Sequence, residues 1–305
     1  MASSTCRLAY VVFQAGRLRG YVHRDLASDD FCATLPGLLV SPPSSEKIRH
    51  RRYQNRETFI VRAVVDGHQR ELFLKCIHMK GYCHMLLVDA LMPSMTHRYL
   101  ALAHVLNALQ IQTPAVVAVA EERSPIGRTR SFVLTEWIPN AVTLREFVAS
   151  SFGRPRSRDD IAEWRAIFLR YAEIVQRLHA HRLFHFDLKP GNILISTVKP
   201  GEPDLTLVDL DAAVTSRMKA GPLPALLRFM DLLILHQHAY PFTDLKERLR
   251  FLAAYSGRRL SLKRSRRLQF FLLSSPVLLH TYTVLKALNL VHILRRLFLM
   301  LRLVR

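Results

Sequence analysis

The feature that most constrains the fold of this chain is a short segment, residues 185–194, that reads HFDLKPGNIL. Its adjacent proline and glycine end regular secondary structure, so Asp187, Lys189 and Asn192 are predicted to lie on one loop. A long run of helical periodicity precedes the segment, and a strand-like run that ends at Asp209 follows it. The chain therefore places a carboxylate, an ammonium group and a carboxamide together between a helix and a strand.

These residue types suit phosphoryl transfer from ATP. That reaction needs a carboxylate to orient and deprotonate the attacking hydroxyl, oxygen ligands for Mg²⁺, and a cation on the phosphates. Asp187, Lys189 and Asn192 lie on one loop, and Asp209 comes at the end of the next pair of strands. The ordered set, with its compatible spacing, indicates an ATP- and Mg²⁺-dependent reaction.

Hydrophobic periodicity divides the chain into a strand-rich first half and a helix-rich second half. Residues 58–65 and 71–77 are rich in β-branched and apolar residues and flank Asp66-Gly67, a strong hairpin signal. The other predicted elements are a helix over 95–109, strands over 115–120 and 131–137, a hinge over 136–140, helices over 143–150 and 158–181, and strands over 192–196 and 205–208. This order suggests two lobes with a cleft between them.

Composition excludes several classes of protein. With 305 residues and 50% hydrophobic residues, the chain has enough apolar material for a buried core and is not disordered or collagen-like. Its four cysteines form no CxxC pair and are too few to staple a chain of this length, which favours a reducing compartment. The apolar run over 8–13 is too short for a signal peptide, and the uncharged stretches 99–120 and 268–285 are too polar to span a bilayer. We therefore expect a cytoplasmic protein.

The spacing of the polar residues resembles the catalytic loop and metal-binding aspartate of protein-kinase-like enzymes. By that resemblance, Asp187 matches the catalytic base and Lys189 matches the residue that steadies the transferring phosphate. Asn192 and Asp209 match the Mg²⁺ ligands. Lys75 matches the strand lysine that reaches the α- and β-phosphates of ATP.

Further segments look like one branch, the lipopolysaccharide kinase family. They are 111–114 (IQTP), 131–138 (SFVLTEWI), 185–194 and 208–211 (VDLD), and the resemblance covers roughly residues 38–256. It implies that the hinge residues Glu136 and Ile138 bind the nucleotide. It also implies that the acceptor is a hydroxyl of a lipid-linked inner-core sugar, Kdo or heptose.

Three features depart from the protein-kinase pattern. Between Lys75 and Glu121 the one acidic residue is Asp89, so either Asp89 or a residue elsewhere replaces the helix glutamate that pairs with the strand lysine, or the lysine is held differently. The region before Lys75 has no glycine-rich loop; 47–56 reads KIRHRRYQNR, a stretch that fits either a phosphate cover or a solvated basic strand edge. Asp209 is followed by Leu210-Asp211 instead of Phe-Gly.

Two other functions also fit the sequence. The shared loop does not identify the acceptor, so the chain also fits a protein kinase that acts on Ser, Thr or Tyr. The missing helix glutamate fits a pseudokinase that acts as a binding module. A second kinase-like triplet, His23-Arg24-Asp25, is rejected because it precedes Lys75 and lacks the lysine and asparagine at the required spacing.

The end of the chain is strongly basic. After Glu247 there is no acidic residue but thirteen Lys and Arg residues, within a net charge of +20. Residues 284–305 have the pattern of an amphipathic helix, which either packs on the core or lies on an anionic membrane surface. Nucleic acid is not expected as a partner, because no zinc finger, helix-turn-helix or aromatic-interleaved basic strand is evident.

We therefore predict an α+β, two-lobed protein-kinase-like fold. It comprises an N-terminal segment (1–37), a small β-rich N-lobe (38–137), a larger helical C-lobe (138–258) and a basic amphipathic C-terminal helical extension (259–305). The resemblance and the basic tail together predict a peripheral location on the inner face of the cytoplasmic membrane.

Overall fold

The computed structural model describes residues 9–42, 47–53, 55–65, 67–79, 94–125, 127–151, 157–199, 202–216, 222–239, 243 and 245–257. The chain divides into two compact units, which we call the sheet unit (Met1–Ile138) and the helical unit (Pro139–Arg305). The predicted C-terminal extension over 259–305 and Asp89 lie outside the described residues.

The sheet unit contains a seven-stranded sheet in which every pair of neighbours is antiparallel. Its spatial order is β1-β2-β6-β7-β5-β4-β3. The strands are β1 (Tyr10–Ala15), β2 (Leu18–His23), β3 (Lys47–Tyr53), β4 (Arg56–Val65), β5 (His68–His78), β6 (Val116–Ser124) and β7 (Gly127–Glu136). The basic segment around 47–53 thus forms an edge strand.

The predicted hairpin around Asp66-Gly67 is confirmed. Val65 pairs with His68, and Gly67 has φ of +73°, a backbone conformation that glycine adopts without steric cost. β5 lies between β4 and β7, with Leu72 and Leu74 fully buried. The hairpin therefore carries a central strand of the sheet, and this strand bears Lys75.

Residues before 38 contribute strands and a helix to the sheet unit. β1 and β2 pair, and β2 continues the sheet onto β6. Helix α1 (Asp29–Val40) begins at Ser28, whose hydroxyl accepts a hydrogen bond from the amide of Phe31. Phe31 and Leu35 of α1 lie in the same apolar cluster as residues of β4, β5 and β7. The N-terminal part of the chain is thus built into the core of this unit.

Helix α2 (Met95–Ala108) confirms the helix predicted over 95–109 and packs on β6 and β7. The helical unit contains α3 (Leu144–Ser151), α4 (Arg158–Ala180), α5 (Pro222–Ala239) and α6 (Leu245–Ser256), together with the short strands β8 (Val142–Thr143), β9 (Leu183–Phe184), β10 (Ile193–Lys199), β11 (Glu202–Leu207) and β12 (Val214–Thr215). The strands pair in the orders β11-β10-β8 and β12-β9.

Helix α4 confirms the long helix predicted over 158–181. Its N-terminus carries a capping box, in which the side chains of Ser157 and Asp160 each accept a hydrogen bond from the other residue's amide. Its apolar face, which includes Trp164 and Ile167, is buried. Within the described parts of the chain, no helix is both long and apolar enough to cross a membrane.

Candidate active site

The predicted catalytic residues lie together on the loop between β9 and β10, residues 185–192, which we call the catalytic loop. Lys189 Nζ donates a hydrogen bond to Asp187 Oδ2 at 2.6 Å. Asn192 Nδ2 donates to the same oxygen and to the main-chain carbonyl of Asp187, each at 2.9 Å. Because the loop closes through a 3-10 turn at Pro190–Asn192, residues five positions apart come into contact. The structure thus brings together the carboxylate, the ammonium group and the carboxamide.

Asp209 follows β11, and the residue before it, Val208, is hydrogen-bonded to this loop. The amide of Val208 donates to the carbonyl of Asn192 at 3.0 Å. Asp209 itself has φ of +63° and ψ of +60°, the left-handed conformation that few non-glycine residues adopt. Such strain is often found at functional sites. The backbone therefore changes direction directly after the residue that is bonded to Asn192.

A buried carboxylate, Asp231 on α5, fixes the entrance to the catalytic loop. Its Oδ2 accepts from the amide of His185 at 2.7 Å, and its Oδ1 accepts from the amide of Phe186 at 2.6 Å. Asp231 is 0% exposed, and Phe186 has φ of +58°. A left-handed residue costs on the order of 1 kcal/mol, and the bonds to Asp231 hold Phe186 in that state directly before Asp187.

Sequence reasoning gave Asp231 no role. The partners of Asp231 are 45 and 46 residues away along the chain, and no local pattern encodes such a contact. A usable signal exists, because a single aspartate in the apolar stretch 229–235 would be buried on a helix and would then need hydrogen-bond donors.

His185 connects the loop to the chain segment before Asp209. Its Nε2 lies 3.2 Å from the carbonyl oxygen of Val208. A carbonyl oxygen only accepts, so Nε2 carries the proton in this contact. His185 is 0% exposed, and its Nδ1 has no hydrogen-bond partner among the described residues. The imidazole thus links the catalytic loop to the segment that leads to Asp209.

The donor set at Asn192 and Asp209 fits Mg²⁺. This ion prefers oxygen ligands and is usually held by one or two carboxylates together with substrate phosphates and water. The amide nitrogen of Asn192 faces Asp187, which leaves the carboxamide oxygen as the atom that would bind the ion. The described residues hold no cluster of three or more His, Cys, Asp and Glu side chains that could bind a metal. In a bound Mg²⁺ site, substrate phosphates and water would complete the coordination.

In the sheet unit, Lys75 lies on β5 opposite Thr58 and Val133, and it is 9% exposed. Glu136 ends β7. Its carboxylate accepts from Arg70 at 3.0 Å, and its amide donates to the carbonyl of Ala115. A nucleotide contact at Glu136 would therefore use its main-chain carbonyl.

Helix α2 has no acidic residue, and its first turn is attached to the sheet by a different carboxylate. Glu121 on β6 accepts from Arg128 at 3.1 Å and from the hydroxyl of Ser94, the residue before α2. Thr96, in the first turn, lies 3.5 Å from the same oxygen. Glu121 and Arg128 are both buried. Sequence reasoning missed this buried ion pair.

The rejected triplet His23-Arg24-Asp25 lies at the end of β2 and in a 3-10 turn of the sheet unit. The Asp25 side chain is 83% exposed and lies 3.9 Å from His23. It provides a natural control for Asp187.

A family model described as the lipopolysaccharide kinase (Kdo/WaaP) family matches residues 45–255 of the chain. A solved structure of WaaP in complex with acyl carrier protein is similar, with 24% identity over 77% of this chain and 90% of that chain and a TM-score of 0.56. The Rio2 kinase–ADP/Mg²⁺–phosphoaspartate complex from Chaetomium thermophilum matches with 15% identity over 88% of this chain and 81% of that chain, and a TM-score of 0.45.

The BubR1 kinase domain matches with 14% identity over 67% of this chain and 49% of that chain, and a TM-score of 0.38. No curated protein sequence matches the chain significantly. The likeness to the WaaP structure confirms the predicted protein-kinase-like fold.

Proposed function

The chain belongs to the lipopolysaccharide kinase (Kdo/WaaP) family, and we propose that it transfers the γ-phosphate of ATP to a hydroxyl of an inner-core sugar, Kdo or heptose. The observation that carries the proposal is the catalytic loop, in which Lys189 and Asn192 both donate to the Asp187 carboxylate. This loop lies within the region that the family model matches.

Asp187 would act as the general base. Its hydrogen bonds from Lys189 and Asn192 end on Oδ2, so Oδ1 is the oxygen that would receive the proton. The acceptor oxygen attacks the γ-phosphorus as the bond from that phosphorus to the bridging oxygen of ADP breaks. The hydroxyl proton passes to Asp187, and the products are ADP and a sugar phosphate.

Two cations of the chain would act on the phosphates. Lys189 is hydrogen-bonded to Asp187 and would stabilise negative charge on the phosphoryl group during its transfer. Lys75 would contact the α- and β-phosphates. Asn192 and Asp209 would hold Mg²⁺, which offsets phosphate charge when bound. Because the reaction makes few covalent demands on the protein, positioning and electrostatics supply most of the catalysis.

We extend the proposal to the place of reaction. A sugar linked to lipid A is a membrane-bound acceptor, and the chain would meet it at the inner face of the cytoplasmic membrane. The eleven Lys and Arg residues after Gly257 have no acidic residue among them. Each basic residue near an anionic leaflet contributes about 1 kcal/mol of attraction.

A carrier protein is a further partner that we propose. The WaaP structure named above was solved with an acyl carrier protein. The helical unit has an apolar cavity lined by residues of α3, α4, α5 and α6, among them Val148, Phe168, Leu235 and Leu252. Co-purification of the chain with acyl carrier protein would support this partner.

The test is to incubate the purified chain with γ-labelled ATP, Mg²⁺ and a Gram-negative envelope extract, and then to separate glycolipid from protein. The Asp187→Ala variant is the control. Label in glycolipid that is lost in the variant would support the proposal, and mass spectrometry would then identify the sugar.

Two other results would contradict it. Label in protein alone would favour a protein kinase that acts on Ser, Thr or Tyr. ATP binding without transfer to either fraction would favour a pseudokinase that acts as a binding module.

A further inference from the structure

A series of hydrogen-bonded side chains connects α6 to the catalytic loop. Tyr255 Oη lies 2.8 Å from His179 Nδ1, and His179 Nε2 lies 3.2 Å from Asp231 Oδ2. Asp231 in turn accepts the amides of His185 and Phe186. Three helices, α6, α4 and α5, thus meet at the entrance to the loop that carries Asp187.

The chemistry of these groups fixes the direction of each hydrogen bond. A carboxylate only accepts, so His179 Nε2 donates to Asp231. With one N–H on the ring, at Nε2, His179 Nδ1 accepts and the Tyr255 hydroxyl is its donor. Burial raises the pKa of Tyr255, while Arg228 lowers it and Asp231 raises it. The hydroxyl therefore keeps its proton at neutral pH.

We infer that Tyr255 is a positioning residue for the catalytic loop, which it orients through His179 and Asp231. The hydroxyl selects the His179 tautomer that donates to Asp231. That donation fixes the carboxylate plane, so that its two oxygens reach two successive amides. Phe186 can then stay in its left-handed conformation, φ of +58°, directly before Asp187.

The hydrogen-bonded series Tyr255–His179–Asp231, which we call the relay, is closely packed around His179. His179 is 2% exposed, and its ring meets the Tyr255 ring edge-on, with centroids 5.6 Å apart and an interplanar angle of 86°. Arg228 of α5 donates to the carbonyl of His179 at 3.2 Å. Because His179 is buried, bulk water does not readily replace the hydrogen bond that its Nδ1 would lose. Removal of the Tyr255 hydroxyl should therefore weaken the hydrogen bonds that hold the catalytic loop.

The chain offers a matched control. Tyr171 on α4 is buried in the helical unit, whereas Tyr255 is half-buried, and the Tyr171 hydroxyl has no hydrogen-bond partner among the described residues. Tyr255→Phe and Tyr171→Phe each remove one oxygen atom and keep the ring. An effect of removing a tyrosine oxygen as such would appear in both variants, whereas an effect of the lost hydrogen bond to His179 would appear only in Tyr255→Phe.

The experiment measures amide hydrogen exchange at His185 and Phe186 in the full chain by NMR. We expect Tyr255→Phe to speed exchange at both amides about fivefold relative to wild type, with Ile195 on β10 unchanged. Tyr171→Phe should leave all three amides unchanged. Equal protection in Tyr255→Phe and wild type, or a uniform increase that includes Ile195, would overturn the inference.

Two further readouts complete the test. The ¹⁵N shifts of the His179 ring should show the proton on Nε2 in wild type; a proton on Nδ1 instead would contradict the relay. In one respect the inference rests on the proposed function, namely that the positioned loop is catalytic, so we expect kcat to fall about fivefold with the KM for ATP unchanged. A wild-type chain that transfers no phosphate would refute the proposed function, while exchange and tautomer would still decide the relay.

Discussion

Asp187 owes its orientation to two side chains on its own loop and to one on a distant helix. Lys189 and Asn192 hold its Oδ2, and Asp231 holds the two amides before it. The first two contacts could be predicted, because their residues lie within five positions of Asp187 in one motif. The contact with Asp231 could not, because it depends on how α5 packs beneath the loop.

Cys76 illustrates how burial sets the chemistry of a single residue. It lies on β5 beside Lys75, and burial raises the pKa of its thiol to about 11. The thiolate is the reactive form, so at pH 8 we expect Cys76 of the native chain to react with iodoacetamide at least about a hundredfold more slowly than a cysteine of ordinary pKa. Peptide mass spectrometry measures this rate.

The same shift predicts a pH dependence of stability. The folded pKa of Cys76 is raised, so its contribution to stability is fully present below the unfolded pKa. That contribution is lost as pH rises from about 9 towards 11. Unfolding in urea should expose the thiol and restore ordinary labelling. Fast labelling of the native chain at pH 8 would contradict the assigned environment.

At the scale of elements, hairpins and long helices were predictable, whereas the N-terminal strands were not. The turn at Gly67 and the apolar spacing in α4 are strong local signals, and both elements form where predicted. The strand-forming run of β1, Tyr10–Phe13, is only four residues long, and β2 contains Arg19, Gly20 and His23, so neither is a strong strand signal without the neighbouring β6. Tertiary pairing decides their structure.

Gly20 on β2 shows how tightly that pairing is packed. A Cβ at Gly20 would lie 2.1 Å from the main-chain oxygen of Val119, and a backbone oxygen cannot move aside cheaply. We expect Gly20→Ala to lower the free energy of unfolding of the chain by more than about 2 kcal/mol in urea denaturation.

The matched variant is Gly37→Ala on α1, where a Cβ would meet nothing within 4 Å. Alanine there should raise the unfolding free energy by about 0.5–1 kcal/mol, because glycine is a poor helix former. Equal stability of the two variants would show that β2 does not approach β6 as described.

Helix α5 acts on the catalytic loop through Asp231, and this predicts a stability effect. Asp231→Ala removes the acceptor of two buried amides and of His179 Nε2. Each unsatisfied buried donor costs about 1–3 kcal/mol, so we expect a loss of about 3 kcal/mol in the free energy of unfolding. The exposed Asp25→Ala variant should change it by less than about 0.5 kcal/mol. Comparable effects from both variants would contradict the role given to Asp231.

At the scale of the whole molecule, charge is the dominant property. The net charge of +20 includes a C-terminal stretch without a single acidic residue after Glu247. We expect a full-length variant with six glutamines to bind anionic vesicles at least about a hundredfold more weakly at 0.1 M salt. The changed residues are Arg258, Arg259, Lys263, Arg264, Arg266 and Arg267.

The control replaces six exposed basic residues elsewhere, namely Arg19, Arg24, Arg145, Arg158, Arg165 and Lys246. It loses the same net charge, so it should weaken vesicle binding far less if the C-terminal stretch is the contact. Vesicle flotation gives both affinities. Equal loss in the two variants would show that net charge alone drives membrane contact.

The family assignment and the loop geometry together make a testable claim about the whole enzyme, namely that Asp187 is the base for phosphoryl transfer to a core sugar. The most direct measurement compares turnover of labelled ATP onto purified lipopolysaccharide core in wild type, Asp187→Asn and Asp25→Asn. Asp25→Asn is matched because it changes the aspartate of the similar triplet His23-Arg24-Asp25. Loss of a positioned general base typically costs 10²–10⁴ in rate, so we expect Asp187→Asn to lose about a thousandfold in kcat with ATP affinity and melting temperature unchanged. Asp25→Asn should retain full activity; near-normal turnover in Asp187→Asn would contradict the account.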